Sequence, residues 1–151
     1  MMKALSIIGA FGPYIMAVGI IAENIIMQPS YFKIGSLLLW QPLNVMINCL
    51  LKEVINQDRP IGSKHVNNLE KYIDEGSKGM PSGHAQVVGS ELMFAMLSNS
   101  FITKIIMLLQ TGLTIYQRYI YKKHTISQLI VGLIIGMLYS YFFWLWFSGI
   151  N

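Results

Sequence analysis

The chain has 151 residues, 54% of them hydrophobic and 12% charged, with a mean hydropathy of +0.50. A soluble domain carries roughly 25% charged residues to solvate its surface, so this composition excludes an ordinary soluble globule and points to a chain surrounded by lipid. The formal charge of +4 is no nucleic-acid signature, because the densest charged stretch, 52–78, holds five bases and five acids.

Five stretches approach the roughly 20 apolar residues that a helix needs to cross the hydrocarbon. The first, Ala4–Ala22, contains Gly12-Pro13 and is expected to kink or break there. No small-residue cleavage site precedes Glu23 and Asn24, so it is expected to remain as a span. The second, Ile34–Leu51, carries Gln41, Pro42, Asn44 and Asn48, polar residues that suggest a face turned toward protein. Its single cysteine, Cys49, has no disulfide partner and is expected to pack as a small hydrophobe. Asn56–Met80 is the one long polar connection, in which Lys64, His65, Lys71 and Lys78 read as solvated loop.

Three further helices follow with short turns: Ser82–Leu97, Phe101–Tyr116 and Ile126–Phe147. In the last, Gly132 and Gly136 form a small-xxx-small pair suited to close helix packing, and the aromatic run Tyr139–Phe147 suits a membrane interface. The expected architecture is a single domain over 1–151, an all-α integral membrane bundle of about five transmembrane helices.

Helices threaded alternately through a bilayer bring three polar clusters to one face: KEVINQDRP (Lys52–Pro60), GMPSGHAQ (Gly79–Gln86) and YQRYIYKKHTISQ (Tyr116–Gln128). Each alone would pass as a membrane boundary, and Lys122 and Lys123 are read as snorkelling side chains. Together, Lys52-x6-Arg59-Pro60, Pro81-Ser82-Gly83-His84 and Arg118-x5-His124 resemble the ordered signature of the type 2 phosphatidic-acid phosphatase superfamily, whose helical core is shared with vanadium haloperoxidases. The third motif departs at two positions, with Gln117 for a serine and Gln128 for an aspartate. HTISQ and the Gln86 that trails GMPSGHAQ look like the dolichyl-diphosphatase branch, which also carries Gln where its relatives carry Asp.

A lipid phosphate beside a bilayer needs fixed cations and aimed N–H donors. Lys52, Arg59 and Arg118 can supply the cations, and Ser82 and Gly83 lie where the unpaired N–H groups of a helix start favour an anion. The Ser82 hydroxyl would either join them or serve as a plain N-cap. By resemblance, His124 attacks phosphorus and becomes phosphohistidine, and His84 protonates the leaving oxygen and then activates water. Gln128, one turn after His124, is expected to accept the Nδ1 proton and aim Nε2. Gln117 could still donate to phosphate. Glu91, two turns past His84 inside an apolar helix, has two readings, proton relay or headgroup contact on one side and a buried structural acid on the other.

The expected function is a lipid phosphatase that needs no metal or other cofactor and acts on a lipid phosphate or diphosphate, with polyprenyl or dolichyl diphosphate as the substrate implied by the branch resemblance. Two alternatives stay open: a phosphatidic-acid-type phosphatase, and a lipid-phosphate binder or transporter without turnover. The dolichyl resemblance implies the endoplasmic-reticulum membrane with a lumenal site. Nine of the eleven Lys and Arg fall on the catalytic face, which by the positive-inside rule implies a cytoplasmic one.

Overall fold

The computed structural model describes residues 2–27, 31–73, 76, 78–97 and 100–149; residues 74, 75 and 77 of the expected polar connection lie outside the described residues. It is all-helical: α1 (Met2–Met27), α2 (Tyr31–Ile55), the short α3 (Asn68–Ile73), α4 (Gly83–Leu97), α5 (Phe101–Ile120) and α6 (Ile126–Ser148). Among the described residues, three segments are long and apolar enough to cross a membrane: Ala4–Asn24, Ile34–Ile55 and Ile126–Ser148. Leu38, Leu39, Leu108, Leu109, Ile15 and Phe142 are exposed on the outside, where the hydrocarbon would be.

α1 runs through Pro13 without the expected break. α5 extends past the expected end at Tyr116 because its polar residues Gln110, Thr111, Thr114, Gln117 and Arg118 turn inward and are buried. Ser100 caps its start, accepting from the Thr103 N–H at 3.2 Å.

α4 is the central strut. It is buried almost all round, as a helix enclosed by its neighbours must be. α6 lies hard against it because residues 132 and 136 lack side chains: a Cβ on Gly132 would come within 2.5 Å of the Ser82 carbonyl oxygen, and one on Gly136 would strike the Gln86 carbonyl. Away from the polar clusters, Trp40, Phe94 and Phe147 anchor an aromatic core, with Trp40 and Phe94 ring centroids 4.6 Å apart. Phe143 and Trp144 pack against it, so part of the aromatic run expected at the interface faces inward. Trp40 Nε1 donates to Ser140 Oγ at 2.9 Å, and the Tyr139 hydroxyl donates to the Trp40 carbonyl at 2.7 Å.

Candidate active site

At the other end of the bundle, short backbone bonds gather the three polar clusters. Asp58 and Lys78 form an isolated antiparallel bridge, and the Gly79 N–H donates to the Gln57 carbonyl at 2.7 Å. Lys52, in the last turn of α2, donates from Nζ to the Lys78 carbonyl at 2.9 Å, tying α2 to the segment that leads into α4. A cavity of about 370 Å³ opens between these elements. Lys52, Arg59, Gly83, His84 and His124 all line it, beside Tyr14, Asn44, Asn48, Gln86 and Lys78. Five of the ten residues singled out from the sequence thus share one wall.

His124 stands on the turn between α5 and α6, with Nδ1 2.9 Å from the Gly79 carbonyl oxygen. A carbonyl can only accept, so Nδ1 carries the proton and the ring's lone pair sits on Nε2. That is the tautomer a nucleophilic imidazole requires. The expected acceptor, Gln128, is engaged elsewhere. As the fourth member of a capping box begun by Thr125, its Oε1 turns back to accept from the Thr125 N–H at 3.1 Å. Its Nε2 donates to Gln57 Oε1 at 3.0 Å and to the Asp58 carbonyl at 2.9 Å. Gln128 acts one step back, pressed so closely on Gly79 that a Cβ there would lie 2.6 Å from its amide nitrogen. The backbone of Gly79 replaces it as the partner of His124.

His84 occupies the first turn of α4. Its Nε2 is 3.1 Å from the Ala10 carbonyl and also contacts the Arg118 guanidinium. The carbonyl favours a proton on Nε2 and the guanidinium, which only donates, favours a lone pair there, so the same nitrogen is supported in both protonation states. Tyr14 holds the ring edge-to-face at a centroid distance of 5.5 Å. Arg118 is fully buried behind His84.

Ser82 takes its capping role: it is fully buried, its Oγ accepts from the Ala85 N–H at 3.4 Å, and its own N–H donates to the Gln128 carbonyl at 3.1 Å. The first-turn N–H groups of Gly83 and His84, which have no acceptor inside a helix, are the ones beside the cavity. Gln117 is buried against Gly9 of α1, and neither amide atom has a hydrogen-bond partner among the described residues. Glu91 is likewise fully buried with both oxygens unpartnered.

Two other expectations change. Lys123 does not snorkel: it is fully buried, with Nζ 2.6 Å from Nδ1 of His65. That contact, and the bond from the Lys64 N–H to the Tyr121 carbonyl at 2.9 Å, clamp the loop after Arg59 onto the turn that carries His124. Lys122 stays exposed. Cys49 is exposed on α2 and lines the cavity, where burial as a small hydrophobe was expected. Among the described residues no three of His, Cys, Asp and Glu lie close enough together to share a metal ion.

The PAP2 superfamily model matches residues 33–151. The chloroplastic lipid phosphate phosphatase epsilon 2 of Arabidopsis thaliana is 30% identical over 107 residues, covering 64% of this chain and 34% of that protein. The chain therefore spans about a third of that relative's length. The crystal structure of the first transmembrane PAP2 type phosphatidylglycerolphosphate phosphatase from Bacillus subtilis superposes with a TM-score of 0.72 at 19% identity, covering 99% of this chain and 76% of that one. That likeness is one of fold.

Proposed function

Because the chain belongs to the PAP2 superfamily, we propose that it is a multi-pass membrane phosphatase that hydrolyses a lipid phosphate or diphosphate through a phosphohistidine, without metal. One observation carries the reading: His84 and His124 line the same cavity as Lys52 and Arg59, with His124 Nδ1 held by the Gly79 carbonyl so that Nε2 is the nitrogen left for attack. In the first step Nε2 of His124 attacks phosphorus, a P–N bond forms, the P–O bond to the leaving group breaks, and His84 gives that oxygen a proton. In the second, His84 takes a proton from water, whose oxygen displaces His124 and releases inorganic phosphate. Lys52 and Arg59 neutralise the phosphoryl oxygens, and Arg118 adds positive potential from behind the His84 ring.

The substrate we infer is a polyprenyl or dolichyl diphosphate, on the strength of Gln86 and Gln128, with residence in the endoplasmic-reticulum membrane following from it. A phosphatidic-acid-type lipid is the runner-up. The tail would leave the cavity past Val45 and Cys49, which line it and are exposed on the outside of α2. A lipid-phosphate binder without turnover draws support from the burial of Arg118.

The deciding experiment uses purified protein in detergent with a prenyl diphosphate, phosphatidic acid and a soluble phosphate ester, each with chelator and with vanadate. Chelator-resistant, vanadate-sensitive phosphate release is the expected result, fastest on the prenyl diphosphate. Binding of the lipids without release from any of them would overturn the enzyme reading.

A further inference from the structure

Asn48 presents an acceptor where a phosphate site is expected to present only donors. It lies one turn before Lys52 on α2, is 5% exposed, and lines the cavity beside Gly83. Its orientation is fixed by unambiguous partners. Nδ2 donates to the Pro81 backbone carbonyl at 3.3 Å and to Gln86 Oε1 at 2.8 Å. Gln86 cannot be turned the other way, because its Nε2 donates to the Asn44 backbone carbonyl and to Asn44 Oδ1, both at 2.8 Å. Asn44 is held in turn by Nδ2 donations to Gln41 Oε1 and Ser90 Oγ, each at 3.1 Å.

With both of its donor bonds made inside the protein, Asn48 is left with its carbonyl oxygen toward the head of α4. A Cβ on Gly83 would lie 3.1 Å from that Oδ1, which is a physical reason for glycine there. Among the described residues no donor reaches Oδ1. An ionised phosphoryl oxygen placed against it would be repelled, since both atoms only accept. An O–H would be bound.

We propose that Asn48 reads the substrate: its locked Oδ1 accepts a hydrogen bond from a hydroxyl on the phosphorylated head. The inference rests on the phosphatase reading and deepens it. The hydroxyl has two possible sources with the same chemistry, an alcohol on the head group or the proton of a monoanionic phosphate, while Lys52 and Arg59, which line the same cavity, gather the ionised oxygens.

The test is steady-state phosphate release in detergent from a lysophosphatidate, which has an alcohol next to its phosphate ester, and from dodecyl phosphate, which has none. Both are followed from pH 5 to 8 with wild type, Asn48→Leu and Asn48→Ser. If the alcohol is the donor, Asn48→Leu raises KM for the lysophosphatidate about five- to tenfold, the loss of one neutral hydrogen bond. In that case any fall in kcat from the lost bonds to Pro81 and Gln86 is common to both substrates, and the rise in KM is confined to the lysophosphatidate. If the phosphate proton is the donor, KM rises for both substrates at low pH, and the weakening of wild-type binding as phosphate loses its second proton near pH 6 disappears in the variant. Asn48→Ser, which can retain one network bond, reports the same selectivity should the leucine variant fail to fold. Equal loss on both substrates at every pH, no change on either, or misfolding of both variants makes Asn48 purely structural and overturns the proposal. A wild type that releases phosphate from a prenyl diphosphate but from neither of these monoesters overturns the proposal for Asn48 alone, and one that releases phosphate from none of the three fails the phosphatase reading itself.

Discussion

The two sides of α4 handle buried polarity in opposite ways. Toward α2, Gln41, Asn44, Asn48, Gln86 and Ser90 form an unbroken ladder in which Gln41 Nε2 also donates to Ser90 Oγ at 2.9 Å and Ser90 Oγ donates to the Val87 carbonyl at 2.8 Å. The face that carries His84 toward Ala10 and Arg118 carries Glu91 two turns further on, and among the described residues the carboxyl oxygens of Glu91 have no partner. Gln117, on α5, is in the same condition. A satisfied network fixes one geometry, whereas an unsatisfied buried group gives up free energy without defining a shape. The ladder ends at the Pro81 carbonyl, so the rigid side is the one that sets the position of the cavity's helix start.

The largest effect is expected where the two sides meet. His124→Gln removes the nucleophile while keeping side-chain length, and kcat should fall by about a thousandfold or more, with no phosphoenzyme trapped on acid quench. His84→Gln should slow both steps but leave some labelled phosphoenzyme with an activated diphosphate substrate, whose leaving group needs less protonation. Equal, complete loss of label in both variants would break the division of labour between the rings.

Next in size is a contrast of sign. Gln86→Leu strips the ladder of its central member and leaves Asn48 Nδ2 and Asn44 Oδ1 short of partners, so unfolding in detergent should come at lower temperature, by about 1–3 kcal/mol of stability. Glu91→Leu deletes a buried group that has no partner to lose among the described residues, so stability should hold or rise. If Glu91→Leu destabilises the protein as much as Gln86→Leu does, the carboxyl is bonded in solution and the two sides are alike. If stability holds but kcat falls and its pH profile changes, Glu91 serves as a proton relay.

The sequence disclosed residue types but not partners. The five long helices, the convergence of their ends and the glycine seam at Gly132 and Gly136 were legible, because apolar length and small-residue spacing act locally. So were Lys52, Arg59, Gly83, His84 and His124 as neighbours, through the motif order. The acceptor for His124 was not, since a backbone carbonyl from Gly79, 45 residues away, leaves no mark in residue identity. Lys123 looked like any boundary lysine, and only the docking of the loop around His65 covered it and gave its ammonium a partner. Asn44 and Asn48 were read as facing protein, but their fixed orientation depends on Gln86 in a different helix.

The smallest effect tests that correction most directly. Were Gln128 the partner of His124 Nδ1, an aspartate in its place would keep or raise activity, because a carboxylate stabilises an imidazolium better than an amide does. With Gly79 as the partner, what Gln128 contributes is two N–H bonds to the 57–58 segment and the cap of α6. Aspartate is too short for the cap contact and has no N–H to give, so Gln128→Asp should do no better than Gln128→Ala, each lowering kcat about tenfold or less through a loosened Gly79. Gln128→Glu restores the capping oxygen alone and should recover part of the helix stability but little of the rate. An aspartate variant faster than wild type would return the orienting role to position 128 and remove the backbone of Gly79 from it.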